Sequence, residues 1–385
     1  MTERLSAQLE FLKRADRLKS VDRANALLDQ SRPENAAEHS WHLALWALTM
    51  EPLAGDDVDI NRVIRMLLLH DLVEIIVGDH PIHLDTDWSA VEQAERVAAD
   101  KLFGLLPDDQ TIVFRALWEE FEADTTPDAK FAKYLDRCQP LFQVMCAPTP
   151  NPDHVEVVRE NLSTGRAAYL AQEFPEAHSL ASALLNKQSA SESAFSERLA
   201  FLAEADRLKS VYRASRLLSG ERFENSAEHS WHIMLFAWVL AEYAQPGVSL
   251  ERVLKMLLLH DIVEIDAGDH PIHGQVDHAA QEAEEQAAAD RLFGLLPKAP
   301  QLTFRTLWQE FEDAETADAR FAKAIDRFQT PVGNLETGGG SWVDYDVTFA
   351  QIEQRVGTPI NRGAPELWSW LRPKLSTYFS ENAVG

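Results

Sequence analysis

The chain has 385 residues, enough for two or three domains that each bury their own core. Its 45% hydrophobic and 25% charged residues are those of a soluble globular protein, and no apolar run approaches the ~20 residues that span a bilayer. A formal net charge of −26 excludes nonspecific binding to nucleic acid polymers or anionic membranes, but not a small phosphorylated ligand beside a metal and an arginine.

Taken in order, nearly every segment has helical period. Residues 1–20 are charged and amphipathic and lack the apolar core of a secretory signal, so a cytoplasmic protein is expected. Residues 35–48 open with Asn35 and place Glu38 three positions on, a capping-box pattern for a helix. Residues 63–75 (VIRMLLLHDLVEI) are apolar on most sides and predict one buried helix through His70 and Asp71, capped by Gly78. Amphipathic helices follow over 90–107, 114–122 and 129–142. The two cysteines, Cys138 and Cys146, form no disulfide or zinc pattern, which fits a reducing compartment. Beyond Gln139 a helix is expected over 155–174, then a polar, serine-rich linker over 186–197.

The chain then repeats itself. EHSWH at 38–42 returns at 228–232, LLLHDLVEI at 67–75 returns as LLLHDIVEI at 257–265, and LDR at 135–137 returns as IDR at 325–327. The offset is constant: 229 − 39, 260 − 70 and 326 − 136 all give 190. A period this long is domain duplication rather than a solenoid repeat. The expected organisation is a first domain over 1–187, a linker over 188–196 and a second domain over 197–385. The copies diverge after Gln139 and Gln329, where the second continues through GGGSW at 338–342. β-branched alternation is scarce, so the fold class is all-α: two tandem helical bundles.

Asp71 lies among leucines, where a bare carboxylate costs several kcal/mol to desolvate. A cation shared with His70 removes that cost, and His39 upstream with Asp136 downstream closes a cage. Two imidazoles and two carboxylates make a borderline-hard donor set for one divalent ion per domain: Mn²⁺, Co²⁺, Ni²⁺, Fe²⁺, Zn²⁺ or Mg²⁺.

The pattern His…His-Asp…Asp in a helical chain resembles the HD superfamily of metal-dependent phosphohydrolases. With EHSWH upstream, HDLVEIIVGDHP and HDIVEIDAGDHP resemble its branch of bacterial 5′-deoxynucleotidases, each half covering nearly a whole domain. The resemblance implies a metal held by His39, His70, Asp71 and Asp136, and a second by His229, His260, Asp261 and Asp326.

Glu74, four residues after His70, is placed to act as general acid or base, and Glu264 is its duplicate. Asp79 and Asp269 follow the capping glycines; in the resembling nucleotidases the matching Asp serves catalysis. Arg23 and Arg213 suit a substrate phosphate, which arginine grips with two N–H groups. In that branch the matching Arg is followed by a Trp associated with deoxyribose selection, whereas Ala24 and Ala214 follow here. His42 and His232 are expected as buried histidines behind the ligands. His80, His83, His270 and His273 are not read as a second metal site, and Trp41, Trp118, Trp231 and Trp308 are read as core.

The function expected is a phosphomonoesterase acting on nucleoside 5′-monophosphates or similar small phosphate esters, the two halves forming an intramolecular pseudo-dimer. The alternatives are a phosphodiesterase of cyclic or dinucleotides, or a metal-stabilised nucleotide sensor with one degenerate half.

Overall fold

Asn35 opens the helix Ala36–Thr49 as the sequence predicts: its side chain accepts from the Glu38 amide at 3.0 Å while Glu38 accepts from the Asn35 amide at 2.9 Å. Every residue of that helix is buried, and the same capping box recurs at Asn225 and Glu228 ahead of Ser226–Val239. The computed structural model describes residues 2–81, 86–188, 192–274 and 277–382. Helices dominate them, confirming the all-α class. Two small antiparallel hairpins are added: Asp22–Ala26 with Pro33–Asn35, and Tyr212–Arg216 with Phe223–Asn225. Their three-residue second strands are too short for alternation to register.

The described chain forms two compact units. One comprises residues 18–207 with 295–300. Its centre is the helix Ala36–Thr49, packed against Ile60–Leu69 and Pro127–Met145. Trp88–Phe103 and Asp108–Ala123 flank these helices. Residues 155–174 were expected as one helix. The chain instead forms Pro152–Ser163 and the short Leu170–Glu173, broken at Gly165, where a Cβ would stand 2.7 Å from the Asn161 Cα. Phe195, just ahead of the helix Ser196–Ala205, packs on Trp46 and Phe142 at ring distances of 5.9 and 5.0 Å. Residues 189–191 of the expected linker lie outside the described residues.

The other unit comprises residues 1–17, 208–294 and 301–385. Its first helix, Thr2–Ala15, therefore packs with the second repeat. Gln8 donates to the Val239 carbonyl at 3.1 Å and accepts from the Tyr243 hydroxyl at 3.1 Å. The chain beyond Gln329 runs through three left-handed glycines (Gly338, Gly339, Gly340) into Ser341–Asp344 and ends in the helix Pro365–Glu381. Gly363 lets Thr358–Gly363 lie against Ala317–Glu336, for a Cβ there would meet the Arg320 carbonyl at 2.1 Å. Gly363→Ala is expected to destabilise this unit by about 2–3 kcal/mol through overpacking. A fall in the thermal unfolding midpoint checks it.

Among the described residues no helix is long and apolar enough to cross a membrane. Trp41, Trp118, Trp231 and Trp308 are all buried, as expected of core residues.

Candidate metal centre

One departure from the sequence reading makes the centre. The helix predicted over 63–75 stops at Leu69 and resumes at Glu74. Between them the bonds tighten to three-residue spacing: Leu72 N–H to Leu69 O at 3.0 Å and Glu74 N–H to Asp71 O at 2.9 Å. Two side-chain hydrogen bonds accompany this in the first repeat, and the first of them recurs from His260 to the Leu257 carbonyl at 2.7 Å in the second. His70 Nδ1 donates to the Leu67 carbonyl at 2.9 Å, and the His70 carbonyl takes the Trp118 indole N–H at 3.2 Å. The tighter turn brings His70 and Asp71 together, with His70 Nε2 3.1 Å from Asp71 Oδ1.

His39 arrives from the helix Ala36–Thr49 and Asp136 from Pro127–Met145, their Nε2 and Oδ1 atoms 3.3 Å apart. Asp136 Oδ1 also lies 4.0 Å from His70 Nε2. One ligand atom each from His39, His70 and Asp136 falls within 4.8 Å of the others, and Asp71 joins through His70. The second repeat gathers the same four types: His229 Nε2 is 3.1 Å from Asp326 Oδ1 and His260 Nε2 is 2.9 Å from Asp261 Oδ1. All eight side chains are buried.

These donors fit a cation. With Nδ1 donating to a carbonyl, His70 Nε2 of a neutral ring carries a lone pair. It is buried, makes no hydrogen bond and faces carboxylate oxygens, as does His260 Nε2. Acceptors facing acceptors away from water are reconciled by positive charge between them. Burial opposes the Asp71 charge, yet His70 when protonated, with Arg23 and His39, holds its carboxyl at about 2, and Asp261 is likewise held at about 2; a cation between the ring and the carboxylate would supply the same positive charge. Asp136 and Asp326 lie well below the usual carboxylate range against their burial, held there by Arg137 and His39, and by Arg327 and His229.

Glu74 behaves oppositely. Burial first, then Asp71 and Asp79, push its carboxyl well above the usual range, and Glu264 follows the same pattern. The copies differ here: Ser226 donates to Glu264 Oε2 at 2.6 Å, whereas the corresponding residue of the first repeat is Ala36. Burial also raises Asp79 and Asp269, and the Ala24 and Ala214 amides donate to them. Arg23, delivered by the hairpin strand Asp22–Ala26, donates to Asp71 Oδ2 at 2.6 Å. Arg213 donates to Asp261 Oδ2 at 3.1 Å and lies 3.8 Å from Asp269.

Each centre opens into a cavity: about 250 Å³ beside Arg23, Asp79 and Asp136, and about 190 Å³ beside Arg213, Asp261, Glu264, Asp269 and Asp326. The far walls differ. The first is aliphatic, from Leu141, Val144, Val157 and Val158; the second is formed by Thr330, Trp342, Tyr345 and Val356. His80, His270 and His273 line these cavities but belong to no metal-binding group among the described residues, and His83 lies outside them.

Two residue pairs went unread in the sequence. Glu34 Oε2 lies 3.4 Å from His39 Nδ1, and Glu224 Oε2 lies 3.5 Å from His229 Nδ1, carboxylates behind the ligands. Their signal was available: the pair Glu34-Asn35 returns as Glu224-Asn225 although the residues flanking the pair change from Pro33 and Ala36 to Phe223 and Ser226. Arg137 and Arg327 line the cavities beside the aspartates that precede them.

Comparison with known proteins agrees with this geometry. The HD domain family matches residues 15–178 and again 205–368. The 5′-deoxynucleotidase HDDC2 of Xenopus laevis is 33% identical over 138 residues, 36% of this chain and 67% of that protein. The human 5′-deoxynucleotidase HDDC2 is 32% identical over 136 residues, 35% of this chain and 65% of its own length. These matches thus take in about two thirds of each relative. A 5′-deoxynucleotidase of Klebsiella pneumoniae is 29% identical over 30% of this chain and 61% of its own. A crystal structure from Magnetospirillum magnetotacticum MS-1, described as a predicted metal-dependent phosphohydrolase, is 43% identical, covering 50% of this chain and 100% of that one with a TM-score of 0.48. Matched twice at the repeat's own spacing, the chain belongs to the HD domain family and carries that domain in tandem.

Proposed function

We propose that the chain is a metal-dependent phosphomonoesterase that hydrolyses nucleoside 5′-monophosphates, with one centre in each half. The observation that carries this reading is the convergence, in both repeats, of two histidines and two aspartates whose buried acceptor atoms face one another. The 5′-deoxynucleotidase relatives supply the substrate class.

His39, His70, Asp71 and Asp136 would hold one divalent cation, and His229, His260, Asp261 and Asp326 the other. When bound, the ion supplies Lewis-acid charge for a phosphoryl oxygen. Arg23 and Arg213 steady the phosphate from the cavity wall, each anchored on an aspartate of its own centre. Glu74 with Asp79, and Glu264 with Asp269, handle the protons. One of each pair takes a proton from the attacking water as its oxygen bonds to phosphorus. The other returns a proton to the 5′ oxygen as the P–O bond breaks. Carboxyls raised by burial suit that exchange.

A phosphate-release screen of mononucleotides against Mn²⁺, Co²⁺, Ni²⁺, Fe²⁺, Zn²⁺ and Mg²⁺ tests the reading. Turnover of 5′-monophosphates that a chelator abolishes is the expected result. No phosphate release with any of these ions, or conversion only of cyclic or dinucleotide diesters to nucleoside monophosphates, read by chromatography, overturns it.

A further inference from the structure

The helix that presents His229 carries a second buried histidine, His232, and Gln329 follows Asp326 by three residues on another helix. Hydrogen bonds, and at the last step a contact between a carboxylate and an imidazole, connect these residues. His232 Nε2 is 2.9 Å from the carbonyl oxygen of Leu12, on the helix Thr2–Ala15. A carbonyl only accepts, so Nε2 is the protonated nitrogen and Nδ1 of the neutral ring accepts. Gln329 Nε2 lies 3.4 Å from His232 Nδ1 and donates to Glu224 Oε1 at 3.4 Å. The amide orientation is fixed from its other end, where the Thr330 hydroxyl donates to Gln329 Oε1 at 3.3 Å. Glu224 then offers Oε2 to His229 Nδ1 at 3.5 Å. A carboxylate oxygen facing Nδ1 favours the proton on that nitrogen, which leaves His229 Nε2 to face Asp326 and the cation. Asp16 stands aside from this line: its Oδ1 is 3.6 Å from His232 Nδ1, and its Oδ2 accepts the Leu218 amide.

The first repeat has the same line. His42 Nε2 meets the Leu202 carbonyl at 2.9 Å, Gln139 Nε2 lies 3.4 Å from His42 Nδ1 and 3.4 Å from Glu34 Oε1, and Glu34 Oε2 lies 3.4 Å from His39 Nδ1. Gln143 Oε1 competes with Glu34 and His42 for the two Gln139 N–H groups, and because it corresponds to Gly333 the line is uncontested in the second repeat.

We propose that His42 with Gln139, and His232 with Gln329, are positioning residues that fix the tautomer of His39 and His229. Each line starts at a backbone carbonyl contributed by the other repeat. Leu12 belongs to the first repeat by sequence yet serves the second metal centre, and Leu202 of the second repeat serves the first. Neither repeat therefore encodes a complete centre, and the duplication is a functional requirement as well as a doubling of sites. The inference rests on the metal-binding reading above.

The test uses the full chain and reads cation binding directly. In an Asp71→Ala background the second centre alone titrates with Co²⁺, followed by visible absorption and elemental analysis. His232→Phe fills the same space without the two nitrogens and is expected to weaken Co²⁺ binding ten- to a hundredfold. His232→Gln retains a donor for Leu12 and an acceptor for Gln329, and is expected to restore most of the affinity. In an Asp261→Ala background, where the first centre alone titrates, neither His232 variant is expected to change affinity. Three results overturn the proposal: His232→Phe binding Co²⁺ like its parent, the Phe and Gln variants losing affinity equally, or equal losses at both centres. A parent chain that binds no Co²⁺ refutes the metal-binding reading itself, and this inference with it.

Discussion

Phosphate release is expected to fall about a thousandfold when Asp71→Ala and Asp261→Ala are combined, while either change alone should leave one working centre. Each aspartate is buried, held at about 2, and touches both a ligand histidine and an arginine. Its removal takes one anion from the cage and leaves a buried guanidinium without its nearest partner, as broken buried pairs typically do at about 3–5 kcal/mol. About 4 kcal/mol in the transition state corresponds to about a thousandfold in rate. Initial rates of the parent, both single variants and the double variant measure this, with bound metal counted in each. A double variant with parental turnover refutes the assignment. The singles carry a further expectation. The aliphatic wall of one cavity and the Trp342–Tyr345 wall of the other make their substrate preferences differ, so the two single variants rank a nucleotide panel differently.

Much of this centre was legible because its chemistry conflicts with its surroundings. A carboxylate in an apolar run is conspicuous, and Asp71 and Asp261 stand in two copies of one. The break at His70 was not legible. The apolar period runs unbroken from Val63 to Val73, and what accompanies the break in both repeats is a side-chain bond, His70 to the Leu67 carbonyl and His260 to the Leu257 carbonyl, that no periodicity reports. Glu34 was missed for a related reason. Its importance comes from a hairpin that folds it behind His39, and a three-residue strand leaves no periodic trace. The packing of Thr2–Ala15 with the second repeat was also hidden, since an offset of 190 reports likeness between copies and not which copy a helix joins. The cavity walls come from the segments where the copies part, so one repeat could not be used to read the other.

Glu74→Gln and Glu264→Gln together are expected to lower kcat by about 10²–10⁴, the range for losing a positioned proton donor or acceptor, while the cation stays bound. They are also expected to make the metal-free chain more stable, and the pair of effects separates a proton-handling role from a ligand role. Burial, with Asp71 and Asp79 beside Glu74 and Asp261 and Asp269 beside Glu264, raises both carboxyls well above the unfolded value of 4.5. Below pH 4.5 folded and unfolded chains are both protonated at these positions, and neither group affects folding. As pH rises past that value the unfolded chain releases these protons and the folded chain retains them, so folding is penalised up to the folded-state pKa. Glutamine never ionises and escapes the penalty. The gain should be larger for Glu74→Gln than for Glu264→Gln, because the Ser226 hydroxyl already favours the charged form of Glu264 and Ala36 offers Glu74 nothing equivalent. A bound cation favours the glutamate anions, so the advantage shrinks when metal is restored. Thermal melts of parent and variants at pH 5 and pH 8, with and without chelator, read this directly. A variant that loses activity without gaining stability in the metal-free chain at pH 8 contradicts the raised carboxyls. A variant that loses its metal places Glu74 among the ligands instead.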